Sequence, residues 1–160
     1  MQFTQSISYP GTVEEVVAMY LTPAYLERRF GQFVVEGSQA VSVEGQRVSF
    51  AGTVRPELIP AAAARFVKSD LRISFTEEWA TNEAEATSRT SVTVDGAPVS
   101  VEATSTLAPV EAGSVRVVTG NVSVRVPLLG GRIEKEAVAH LGRVVEREQA
   151  LATQWLEEHR

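Results

Sequence analysis

The sequence predicts an α+β fold: a curved antiparallel sheet of about seven strands wrapped on a long C-terminal helix, with two short helices after the first strand. Three observations predict it. The run from Gly130 to His159 carries apolar residues at helical spacing. Residues 33–126 are rich in β-branched residues in short alternating runs, with no long helical period. Between the first alternating run and that region stand two segments with helix start signals.

Taken in order, residues 2–9 alternate Phe3, Gln5 and Ile7 against Gln2, Thr4 and Ser6, as a half-buried strand does. Thr12, followed three residues later by Glu15, is a capping box that opens a helix through "GTVEEVVAMYL". "TPAYLERRFG" opens the second, with Thr22 as N-cap, Pro23 at the first helical position and Gly31 as the stop. Phe33-Val34-Val35 begins a strand, and Val48, Phe50, Gly52 and Val54 give one face of another that ends at Pro56. The stretch from Pro60 to Arg65 reads equally as a helical turn or a loop. Leu71, Ile73, Phe75, Glu77 and Trp79 line one face of the next strand. Residues 86–94 and 99–107 flank Asp95-Gly96, a hairpin signal, with Pro98 lengthening the loop. A final strand over 114–126 ends at Pro127, after which Gly130-Gly131 lets the chain turn into the helix.

On a helical wheel Ile133, Ala137, Leu141, Val144, Leu151 and Trp155 fall within roughly 80° of one another. Glu148 lies at about 60° from Ile133, inside that stripe. A helix of about 27 residues is roughly 40 Å long, and it is the one element large enough to cover the apolar face of such a sheet. A curved sheet and a straight helix cannot touch everywhere, so a concave, mostly apolar pocket is expected between them.

A chain of 160 residues, 44% apolar and 22% charged, has the make-up of one globular domain spanning 1–160. Its net charge of −5, with lysine only at Lys68 and Lys135, argues against a nucleic-acid partner. There is no cysteine, which removes disulfides, thiolate metal sites and a cysteine nucleophile. The first residues lack the pattern of a signal peptide, and no apolar run approaches the ~20 residues that span a bilayer. The expectation is a cytoplasmic chain without an integral membrane segment. Two histidines (His140, His159) and two aspartates (Asp70, Asp95) leave little material for a Ser–His–Asp triad or a histidine metal site. No metal, no cofactor and no catalytic residue is expected.

The order of elements, and above all "VRVPLLGGRIEKEAVAHL", resembles the START-like (SRPBCC) helix-grip superfamily, which includes the birch-pollen-allergen fold and the polyketide cyclases. More narrowly, the chain resembles, over essentially its whole length, an actinobacterial family of unknown function within it. The resemblance implies a pocket under the long helix for a hydrophobic small molecule or lipid. It implies no activity, because members include carriers, cyclases, hydrolases and chaperone regulators.

The candidate site residues follow from that pocket. A buried carboxylate without a partner is costly or becomes neutral. Glu148 therefore either sits at an edge with Arg143, Arg147 or an arginine of the sheet, or faces the cavity and orients a polar ligand atom. Glu77 either looks into the same space or forms a rim salt bridge with Arg89. Glu134 either stabilises the helix N-terminus, where the helix dipole favours a negative charge, or adds a second acidic group toward the same face. Thr90 offers a cavity hydroxyl. Phe50, Phe75 and Trp79 are core residues that also line the cavity, as do Val92, Val122, Leu141, Val144 and Val145. Three functions compete: a carrier of a hydrophobic or amphipathic molecule, a cyclase- or dehydratase-type enzyme using Glu77, Glu148 or Thr90, and an interaction module with a filled core that forms a homodimer through an exposed sheet edge.

Overall fold

A computed structural model describes the chain except Pro60, Phe66, Lys68 and the side chain of Ala62. The strands are β1 (Gln2–Tyr9), β2 (Ala40–Glu44), β3 (Arg47–Thr53), β4 (Arg72–Thr81), β5 (Ala86–Asp95), β6 (Val99–Val110) and β7 (Gly113–Val124). The helices are α1 (Val13–Tyr20), α2 (Pro23–Phe30), the single turn α3 (Ala61–Ala64) and α4 (Gly130–Glu158). All strand pairs are antiparallel, in the order β1-β7-β6-β5-β4-β3-β2. This is the α+β helix-grip architecture that the periodicities predict.

Local chemistry explains where elements begin and stop. Thr12 accepts from the Glu15 amide at 3.1 Å and the Glu15 carboxylate accepts from the Thr12 amide at 3.3 Å, so both halves of the capping box form. Thr22 does not cap α2: its hydroxyl donates to the Ala18 carbonyl at 2.7 Å, and Pro23 at the first position has no amide to satisfy. The expected strand at Phe33 is also absent. Gly31–Phe33 form a 3-10 turn, Val34 makes one isolated bridge to Val54, and the edge strand starts only at Ala40. Gly37 at φ +82 turns the chain, while Ser38 donates to the Val35 carbonyl and accepts from the Thr53 amide. A turn thus takes up the polar groups that a ladder would have used. "PAAAAR" contributes the turn α3, and Pro60 lies outside the described residues.

β7 ends at Val124, two residues before the expected limit, because the Val124 amide turns to the Glu134 carboxylate at 2.9 Å. The helix enters so close to the strand that a Cβ on Gly130 would stand 2.2 Å from the Val124 carbonyl oxygen. Only glycine fits there. Glu134 also receives the N-terminal amine at 3.1 Å, which ties the helix start to the end of β7 and to the start of the edge strand β1.

From there α4 runs along β1 and β7. It is buried at Gly130 and then only in its last third, at Ala152, Trp155 and Leu156. These pack with Ile7, Tyr9, Val16, Tyr20, Tyr25, Trp79 and Leu107 beneath α1 and α2. A second cluster of Leu26, Val34, Val48, Phe50 and Phe75 fills the end of the sheet at β3 and β4. The inward stripe is turned from the expected one, so that Val145, Ala152 and Leu156 pack inward while Val144 stands 41% exposed. Through its N-terminal half the stripe of Ile133, Ala137, Leu141 and Val145 is only half-buried.

Candidate functional site

The register places Glu77, Thr90, Ala103, Gly120 and Phe3 in one row across the inner face of the sheet. The adjoining rows on the same face hold Trp79, Ser88, Ser105 and Val118, then Ala86, Leu107, Arg116 and Ile7. Two charged residues therefore point from the sheet into the interior, and both are at most 2% exposed. Glu77 Oε2 accepts from Arg116 Nη2 and from the Thr90 hydroxyl, each at 2.8 Å, and Oε1 accepts from Trp79 Nε1 at 3.1 Å. Arg116 donates further to Ser105 at 2.9 Å and Ser88 at 3.1 Å. Its guanidinium carbon lies 4.9 Å from the centroid of the Tyr20 ring and 4.8 Å from that of Trp79, a cation–π arrangement.

A second pair meets the first from the helical side. Glu148 lies on the inward stripe, one turn before Ala152 and two before Trp155, with its side chain 14% exposed. Its partner is none of the arginines expected. Arg29, in the last turn of α2, reaches Glu148 Oε1 with Nη2 at 2.8 Å. Tyr20 donates to the same oxygen at 2.9 Å, and Tyr9 and Tyr20 share a hydrogen bond of 2.5 Å. The Arg29 guanidinium lies over Tyr20, Phe30 and Phe75 at 4.8, 4.8 and 5.3 Å from their centroids. Arg29 Nη1 is 3.8 Å from Glu77, which joins the two pairs electrostatically. Two carboxylates and two guanidiniums cancel, as burial of charge requires.

This field fixes protonation states. Burial would raise the Glu77 carboxyl, but the Arg116 and Arg29 guanidiniums and the hydrogen bonds outweigh it and hold it below the ordinary carboxylate range. Glu77 is thus a permanent counter-ion, unlike a general acid or base poised near neutrality. Burial pushes the Tyr9 phenol up to about 12, and burial with the Glu148 charge pushes Tyr20 well up. Both stay protonated donors. At the helix start, the Val124 amide and the N-terminal amine hold the Glu134 carboxyl low.

The structure brings together Glu77, Glu148 and Thr90, with Trp79 beside them. The Glu77–Arg89 bridge does not form: Arg89 sits across from Glu78, whose position in β4 puts it on the opposite face. Phe50, Phe75 and Trp79 are packed core side chains, 2 to 4% exposed. Val122 is buried, while Val92, Leu141 and Val145 are half-buried. Val144 helps to line a small hollow of about 50 Å³ with Arg29, Phe30, Gln32, Phe33, Arg147, Glu148 and Leu151. Reading the sequence missed Arg29, Arg116, Tyr9 and Tyr20. The signal for Arg116 was present, since it occupies the inward parity of β7 with Val118, Val122 and Val124. Arg29 follows the buried Tyr25 by one helical turn.

Two wider depressions lie elsewhere. One, about 690 Å³, opens mainly on the outer face of the sheet among Gln2, Thr76, Glu78, Arg89, Glu102 and Asn121. Another, about 700 Å³, follows α4 past Gln5, Ser6, Gly142, Glu146 and Gln149. Among the described residues no group of three or more His, Asp or Glu side chains is placed to hold a metal. No described helix is long and apolar enough to cross a membrane.

Residues 4–156 match the family model described as a protein of unknown function, DUF2505. The chain belongs to that family. A relative of this DUF2505 chain, the uncharacterized protein Rv0481c of Mycobacterium tuberculosis, is 27% identical over 96% of this chain and 95% of its own length. Among solved structures, a conserved protein from Geobacillus kaustophilus superposes with a TM-score of 0.59 at 16% identity, covering 99% of this chain and 96% of that one. The di-domain ARO/CYC StfQ of the steffimycin biosynthetic pathway gives 0.61 at 11% identity, over 99% of this chain and 51% of that one. A point mutant of Thalictrum flavum norcoclaurine synthase, in complex with a transition-state analogue, gives 0.54 at 12% identity over 99% and 94%. These likenesses establish the helix-grip fold.

Proposed function

We propose that this chain binds a hydrophobic or amphipathic small molecule or lipid in the half of the grip that its own side chains leave open, as a START-like (SRPBCC) carrier. One observation carries the reading. Along its N-terminal half α4 turns Ile133, Ala137, Leu141 and Val145 inward, yet none is fully buried. On the inner face of the sheet Phe3, Val92, Val101, Ala103 and Val118 are half-buried too. Two apolar surfaces that should close on each other are left incompletely covered, and an apolar guest between them would complete the burial at roughly 25 cal/mol per Å². Thr90, Arg29 and Glu148 supply the few polar groups that orient a guest at the closed end.

The neighbours described as an ARO/CYC and as a norcoclaurine synthase complex support a fold that accommodates organic molecules. The fixed ionisation of Glu77 speaks for a binding wall rather than for proton transfer at that residue. The test is native mass spectrometry of the purified protein together with titration of N-phenyl-1-naphthylamine, a neutral apolar fluorophore. Uptake is expected, and Val101→Trp, which fills the cleft, is expected to weaken it at least tenfold with the thermal midpoint kept. A folded protein that carries no guest and admits no fluorophore refutes the reading.

A further inference from the structure

β1 is an end strand of the sheet, and its free edge meets a groove instead of another strand. In an antiparallel ladder every second residue turns its main-chain groups away from the neighbouring strand. The Val122 amide donates to the Met1 carbonyl at 2.9 Å, whereas the Ser8 amide donates outward to Gln149 Oε1 at 3.1 Å. By the same alternation Thr4 and Ser6 turn their amides and carbonyls outward, and among the described residues no side chain takes them as Gln149 takes Ser8. An unpaired row of this kind is a template for a further strand. Ser6 and Gln149 line the groove of about 700 Å³ between this edge and α4, which follows the helix from Gly142 to Glu157. That stretch of helix is about 22 Å long, the length of about six or seven residues of extended chain.

Two features of the helical wall say what the groove takes. A Cβ on Gly142 meets nothing within 4 Å, so packing inside the chain does not call for glycine, which weakens a helix interior relative to alanine. An occupant from outside gives it a reason, because a helix without a side chain there can be approached closely. The ionic residues of the walls are Glu146 and Glu157, and neither is in an ion pair among the described residues.

We infer that this groove takes an extended peptide segment of a partner protein, added to the free edge of β1, with lysine or arginine side chains set against Glu146 and Glu157. Main-chain bonds to Thr4 and Ser6 give the affinity, and the two carboxylates select the side chains. A second copy of this chain is the poorer occupant. Its own β1, QFTQSISY, brings no cation, and a two-fold pairing of the edges brings two acidic walls together. The groove lies outside the grip, so this inference does not depend on the carrier reading.

The test is fluorescence anisotropy of three labelled, capped heptapeptides with the intact protein. One alternates lysine and valine, one alternates glutamate and valine, and the third is the lysine peptide with its peptide nitrogens methylated. The lysine peptide is expected to bind at least tenfold more tightly than the glutamate peptide. Methylation keeps the charge and deletes the main-chain donors, so it should cost at least tenfold as well. Glu146→Gln with Glu157→Gln should remove the preference for lysine. Gly142→Leu should weaken the lysine peptide at least tenfold with the thermal midpoint kept, because it fills the groove and not the core. Amide exchange at Thr4 and Ser6 should slow at least tenfold when the lysine peptide is added. Failure of that peptide to bind, equal binding of the glutamate peptide, or full affinity after methylation overturns the inference. A dimer in solution that protects the Thr4 and Ser6 amides without any peptide overturns it in favour of a second copy.

Discussion

Glu77 and Arg116 form a fully buried ion pair, and the cost of breaking it from one side is large. Glu77→Gln preserves shape and so opens no cavity. It leaves Arg116 and Arg29 with only Glu148 as a counter-charge, so the interior carries one net positive charge. It also turns one of the two carboxylate oxygens into a donor, facing either Trp79 Nε1 or the Thr90 and Arg116 donors. Removing one partner of a buried pair costs about 3–5 kcal/mol, out of a total stability of about 5–15 kcal/mol. At this chain length each kcal/mol moves the thermal midpoint by about 2–4 °C, so a fall of roughly 6–20 °C is expected. Arg116→Met should cost a similar amount, because it strands the anion instead. Glu77→Leu with Arg116→Met should lose about 2–3 kcal/mol less than the sum of its two single changes, the size of a strong pairwise coupling. Urea denaturation followed by tryptophan fluorescence reads all of these variants. Single variants that lose less than about 1 kcal/mol, or strict additivity in the double, would refute the claim that the pair organises the interior.

Acid should act on the same pair. Glu77 titrates below the ordinary carboxylate value of about 4.5 in the folded chain, so its contribution is complete above that value and is lost as the pH falls toward the folded one. Urea midpoints measured from pH 7 to pH 3 should drop in the wild type below about pH 4.5, and Glu77→Gln should flatten part of that fall; identical slopes would contradict it. Two glycines give opposite expectations. A Cβ on Gly52 would stand 2.7 Å from Val34 Cγ1 in the packed cluster under β3, so Gly52→Ala should destabilise by about 1–3 kcal/mol. A Cβ on Gly142 meets nothing within 4 Å on the exposed side of α4, so Gly142→Ala should stabilise by about 0.5–1 kcal/mol. Thermal melts of the two proteins side by side check both signs.

The fold was legible because its elements are carried by short-range pattern. Period-two alternation marks β1, β4 and β5, the Thr12–Glu15 box marks α1, and the long stripe marks α4. The failures occur where polar groups decide the outcome. Phe33-Val34-Val35 has strand composition, but Gly37 and Ser38 turn the chain away from the ladder. Thr22 has N-cap chemistry, but its hydroxyl bonds back to Ala18. The site was half legible: Glu77 and Glu148 stood out as carboxylates on apolar faces. Their partners lay outside sequence reach, because a stripe gives the direction of a side chain but not what another element brings to meet it. Arg29 is 119 residues from Glu148 and Arg116 is 39 from Glu77, separations that only the closed grip resolves.

The closed end of the grip is organised by charge. Glu77 and Arg116 pair with each other on the inner sheet face, and the further charge that α2 brings there, Arg29, is met by Glu148 from α4. α1 and α2 supply Tyr20 and Arg29, α4 supplies Glu148, and β1 supplies Tyr9 to bond Tyr20; together they fill the space beneath the C-terminal part of α4. Those partners fix how close α2 and α4 can come to the sheet. α4 is anchored at its start by Glu134 and near its end by Trp155 and Leu156, and between them it runs along β1 and β7. Between those two anchors Leu141 and Val145 stay half-buried. Replacing the whole network by apolar side chains removes the partners that set this spacing, so α2 and α4 should close further onto the sheet.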